Sequence, residues 1–144
     1  MSNLPELLAR VQAAKGPDRE IDALVHCLDK GLTFQKFMRV NERQTRPDTP
    51  LGKAYSFRTE KGETAIWQTE HYSESLDALA ALAERVLPGY NIESGFRRRE
   101  GSAWAIVWPD DGDRDDDYHA GKAATEPLSR LAAILAAKIA KEGE

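Results

Sequence analysis

Residues 72–108, YSESLDALAALAERVLPGYNIESGFRRREGSAWAIVW, restrict the fold more than any other stretch of the chain. Leu76, Leu79, Ala80, Ala83, Val86 and Leu87 recur at steps of three and four, which puts them on one face of a helix. Ser73 is placed to cap that helix, and Glu74 adds a negative charge near its positive end. Pro88-Gly89 stops it. Tyr90, Ile92, Ser94 and Phe96 then alternate with Asn91, Glu93 and Arg97, the period of a half-buried strand. Arg99-Glu100-Gly101-Ser102 supplies a turn, and Ala103–Trp108 (AWAIVW) is apolar on both sides. A strand with no polar side belongs in the middle of a sheet.

The flanking segments fit around this helix and hairpin. NLPELLARVQAAK at 3–15 is an amphipathic helix, with Asn3 and Glu6 in capping-box positions and Gly16-Pro17 beyond its end. A second helix is predicted over Pro17–Lys30, with Ile21, Leu24, Val25 and Leu28 as its apolar stripe. Leu32–Val40 reads as an irregular strand, 41–53 as a polar loop, and Ala54–Thr59 with Thr64–Thr69 as a hairpin across Glu60–Glu63. Pro109–Gly121 is an acidic loop. A last helix, capped by Thr125, carries Leu128, Leu131, Leu135 and Ile139 at helical spacing. The order α-α-β-β-β-α-β-β-α, with its strands in hairpins, predicts an α+β fold. Its expected form is a mostly antiparallel sheet of four to five strands sandwiched by about four helices.

The 144 residues suffice for a single domain over 1–144, and 41% hydrophobic with 31% charged residues is a globular composition. No apolar run is long enough to span a bilayer, and MSNLPELLAR lacks the basic and apolar regions of a signal peptide. The lone Cys27 fits a reducing cytoplasm. A net charge of −4 argues against general nucleic-acid binding, which requires a basic face. Charge is instead local: Arg97, Arg98 and Arg99 are consecutive, and six aspartates crowd 110–117.

Recognisable catalytic chemistry is missing from the sequence. There is no phosphate-binding glycine loop, nucleophile elbow, HExxH or CxxC, and DDGDRDDD does not follow the calcium-loop spacing. His26 turns about 100° away from Cys27 on a helix, leaving the thiol without a base. His71 and His119 are the residues a small hydrolase would use. No cofactor or metal is implied. Binding is the stronger reading: Trp67, Tyr72, Trp104 and Trp108 offer stacking surfaces, and Arg97, Arg98 and Arg99 offer phosphate-compatible cations. The plainer alternative is that the aromatics are core and the arginines a solvated turn.

GPDREIDALV at 16–25, HYSESLDALAALAERVLPGY at 71–90 and AATEPLSRLAAILAAKIA at 123–140 resemble the phage ABA-sandwich domain family. The shared elements are a Gly-Pro-Asp-Arg-Glu turn into a helix, a Tyr-Ser-x-Ser-Leu-Asp helix start and a final Thr-x-Pro-Leu helix. Residues 32–69 depart from that pattern and are longer and more basic. The resemblance implies a phage-encoded accessory protein of the host cytoplasm. Its expected action is to counteract host defence, by sequestering a nucleotide-like signal or by inhibiting a host protein. A structural or assembly protein of the virion, self-associating through its alanine-rich final helix, is the alternative.

Overall fold

The computed structural model describes residues 4–30, 33–38, 54–58, 64–67 and 71–142, with side chains described over 4–18, 20–29 and 71–142. The elements in order are α1 (Leu4–Ala13), α2 (Arg19–Lys30), β1 (Thr33–Met38), β2 (Ala54–Arg58), β3 (Thr64–Trp67), α3 (Leu76–Val86), β4 (Tyr90–Arg97), β5 (Ser102–Pro109), β6 (His119–Ala123) and α4 (Glu126–Glu142). The fold is α+β and its strand pairings are antiparallel. In place of the expected single sheet of four to five strands, the described residues form two three-stranded sheets, in the orders β1-β2-β3 and β4-β5-β6. The chain divides into two compact units, Met1–Ile21 with His71–Glu144, and Asp22–Glu70. The segment singled out at 32–69 falls within the second unit. No described helix is long and apolar enough to cross a membrane.

The first unit is built on α4. This helix packs along β4, β5 and β6, and α1 and α3 pack against it in turn. Leu128, Leu131, Ala132, Ala133, Ile134, Leu135 and Ala137 are all buried, so the alanine-rich helix is the centre of the core. That overturns it as a self-association surface. Thr125 caps it as the sequence predicts, Leu128 N donating to Thr125 Oγ1 at 3.4 Å. Arg130 Nε donates to Ser94 Oγ at 2.7 Å, and Lys141 lies 5.8 Å from the centre of the Tyr90 ring, so the start and the middle of β4 are tied to the helix.

Three local expectations shift. The cap of α3 is Ser75, whose side chain accepts from Ala78 N at 3.1 Å. Ser73 instead accepts from Asp18 N at 2.8 Å and donates to Asp18 O at 3.1 Å. Asp18 in turn accepts from Glu20 N and Ile21 N at 2.9 and 3.2 Å, so one serine ties the approach to α3 to the start of α2. The apolar stripe of α3 also moves: Leu79, Leu82, Ala83 and Leu87 are buried, while Ala80 is exposed and Leu76 is 37% exposed. Finally, the acidic loop ends early, and β6 occupies its last residues.

HAGKA carries no β-branched or aromatic residue, which is why β6 does not declare itself in the sequence. Its reason lies in α4. A Cβ on Gly121 would stand 2.3 Å from Ala133 N and 2.4 Å from Ser129 O. Only a glycine lets the strand approach the helix backbone so closely.

In the second unit β2 is the central strand. The expected hairpin is present, with Tyr55 paired to Trp67 and Phe57 to Ala65, and β1 joins the other edge of β2. The polar loop at 41–53 and the turn at 60–63 lie outside the described residues, as does Asn3 of the capping box. Cys27 is buried in α2 and its burial pushes the thiol up to about 12, so it is a packed apolar group with no thiolate at neutral pH.

Candidate functional site

The side chains of β5 divide between two environments. Ala103, Ala105 and Val107 point to α4 and are buried, whereas Trp104, Ile106 and Trp108 point the other way and are half-buried. Register carries the division across the sheet. Trp104 stands opposite Gly95 on β4 and Lys122 on β6, and Ile106 stands between Glu93 and Ala120. Because Gly95 has no side chain, the indole lies over its backbone: an added Cβ would meet Trp104 Nε1, Cε2 and Cζ2 at 2.8–2.9 Å.

Two open grooves flank this tryptophan. One, of about 440 Å³, runs along Arg97, Glu100, Trp104 and Lys122 to Gln12 of α1. The other, of about 600 Å³, lies between Trp104, Ile106, Glu93, Arg114 and Tyr118. Trp104 and Arg97 border both. Tyr118 is 48% exposed, which adds a second aromatic to the face.

The charges here alternate rather than accumulate. Glu100 faces Arg97 at 3.7 Å and Lys122 at 3.5 Å. Arg114 donates to Glu93 from Nε at 2.9 Å and contacts it through Nη2 at 2.7 Å, while its guanidinium lies 5.6 Å from the Trp108 ring centre. The hydrogen bond to Glu93 raises the Arg114 pKa further, so the guanidinium stays charged. Arg114 thereby fastens the acidic loop to the sheet. The loop folds on its own carboxylates: Asp117 accepts from Asp113 N at 2.7 Å and Asp113 accepts from Asp115 N at 2.8 Å. Those are turn-forming hydrogen bonds, which account for aspartates at these positions in structural terms.

Of the residues expected to bind, the structure brings Arg97 and Trp104 together on this face. Arg98 and Arg99 sit on the exposed β4–β5 turn, which Gly101 closes with φ +63°, and neither makes an ion pair among the described residues. Tyr72 is a correction. It is 1% exposed, and its hydroxyl accepts from Arg85 Nη2 at 3.2 Å, so its ring is core. Trp67 lies in β3 of the second unit, with its side chain outside the described residues. Arg114 and Tyr118 lie in the stretch whose sequence reads as loop, and Lys122 follows it without a pattern of its own, so the sequence does not mark them. The alternation Asn91-Glu93-Gly95-Arg97 was the available signal for this face, and its glycine marks where the tryptophan lies.

The arrangement is suited to recognition. It offers aromatic surface, cations beside carboxylates and open shape, with no nucleophile held against a base. His71 Nδ1 is 3.5 Å from Glu74 beside α3, and His119 lies on the α4-facing side of β6, so neither stands on this face. Among the described residues, no three His, Cys, Asp or Glu side chains are grouped to hold a metal ion. No family model, curated protein or solved structure matches this chain.

Proposed function

We propose that this protein acts by binding a protein partner on the open face of the β4-β5-β6 sheet. The observation that carries the reading is Trp104, half-buried between two open grooves whose rims alternate Arg97, Glu100, Lys122, Glu93 and Arg114. A central aromatic ringed by charges of both signs is the composition of an interaction hot spot. Open grooves fit a protein surface better than the enclosing pockets that hold small molecules. The phage resemblance supplies the setting: an accessory protein in the host cytoplasm whose partner is a component of host defence.

A nucleotide-like signal is the second reading, and one feature favours it. Arg98 and Arg99, free of ion pairs among the described residues, stand on the turn beside the Trp104 groove and could meet phosphate. A virion assembly role loses its proposed surface, because α4 is interior.

One comparison tests the reading. The intact chain and W104A are used as baits in a bacterial lysate, and both are titrated calorimetrically with cyclic dinucleotides. Partner binding weakened at least about tenfold by W104A supports the proposal, since hot-spot truncations cost that much or more. Equal capture by both baits sinks it, and heat from the nucleotides alone turns the function to signal sequestration.

A further inference from the structure

We infer that β4 is a self-complementary edge through which two copies of this chain join antiparallel, extending each β4-β5-β6 sheet into one of twice the width. Among the described residues β4 pairs with β5 alone, so its outer edge is unpaired. Which groups face outward follows from the inner ladder. Gly89 O accepts from Asp110 N at 2.7 Å and Arg97 O accepts from Gly101 N at 2.9 Å, so the odd-numbered positions turn toward β5. The N–H and C=O groups of Ile92, Ser94 and Phe96 therefore point outward. An edge of this length, without proline, is a template for another strand.

The sequence of the strand favours a second copy as the occupant. With Gly95 opposite Gly95 of the second copy, Glu93 of each chain stands opposite Arg97 of the other, on the Trp104 side of the sheet. Positions of this parity form the non-hydrogen-bonded pairs, whose Cα atoms approach to about 4.5 Å and whose side chains interact most closely. Glycine at the twofold axis suits that close approach. The even positions supply the new hydrogen bonds, between Ser94 and Phe96. On the opposite side, Phe96, a large apolar side chain 54% exposed in the single chain, comes to lie beside Ser94 and diagonal to Ile92 of the other copy. One register thus adds opposite charges to the existing Glu93–Arg114 and Arg97–Glu100 pairs while it fills the hydrogen-bonding edge and covers the exposed ring.

The pairing shares Glu93 and Arg97 with the partner-binding rim but is read from the mass of the chain alone, without any partner, and charge reversal tests it. Sedimentation equilibrium of the full chain at micromolar concentration should give twice the mass of the 16.0 kDa chain. R97E sets like charges opposite each other and should weaken dimerisation at least tenfold. The double reversal E93R/R97E should restore it, which a merely misfolded variant would not do. F96K, on the other side of the sheet, should also yield monomer with an unchanged far-ultraviolet circular dichroism spectrum. A monomeric wild-type chain overturns the inference, and so does a dimer indifferent to R97E and F96K.

Discussion

The two sides of the β4-β5-β6 sheet are made by the same strands yet obey different rules, and a pair of glycines displays the contrast. Gly121 faces α4, where an added Cβ would strike the backbone atoms Ala133 N and Ser129 O. Gly95 faces the open side, where the same addition would first meet the indole of Trp104. Backbone held in a helix cannot retreat, whereas a half-buried ring at the end of a side chain can. The covered side is therefore a fixed fit between strand and helix, and the open side is an adjustable surface of rings and ion pairs. Core positions of the first kind specify the fold; positions of the second kind are free to specify a partner.

The sharpest way to break this contrast is to overfill the covered side. G121V should destabilise the protein by about 3 kcal/mol or more, because strand and helix must separate to admit the side chain. Thermal unfolding followed by circular dichroism should show the midpoint falling by about 10 °C. A loss under about 1 kcal/mol would mean that the two sides are equally adaptable.

G95A asks the same question of the open side. The expected cost is about 1 kcal/mol, with the indole pushed outward and tryptophan emission moving to the red. A loss matching that of G121V would show that Trp104 is locked in place. The smallest effect belongs to R97A. Its ion pair to Glu100 spans 3.7 Å on a side chain 61% exposed, and removal should change stability by less than about 0.5 kcal/mol in chemical denaturation. A larger loss would make Arg97 part of the framework rather than of a binding rim.

The same contrast explains what could be read in advance. Helices α1, α2, α3 and α4 were legible because an apolar stripe at helical spacing has few other uses, and the hairpin of β4 and β5 was legible from its period of two. The central place of β5 also followed from its lack of a polar side. Ser73 and Tyr72 were misjudged for a common reason. A serine near a helix start and a tyrosine beside it have local uses, but here Ser73 bonds to Asp18 and Tyr72 lies in the core beside Arg85. Contacts over such sequence separations leave no periodic trace. Half of the candidate site was visible, in Arg97 and Trp104. The other half comes from β6 and the acidic loop, whose residues have no pattern of their own.

What the sequence determined by itself was local: the four helices, the Thr125 cap, the hairpins and the antiparallel α+β class. Each follows from spacing and propensity within a few residues. The tertiary structure decided the rest. It made two sheets rather than one, sank the alanine-rich helix into the core, and converted HAGKA into a strand because Gly121 lets α4 approach. It also chose which side of AWAIVW would stay open. Both sides of that strand are apolar, so only the placement of α4 could distinguish them, and that placement leaves Trp104 at the surface.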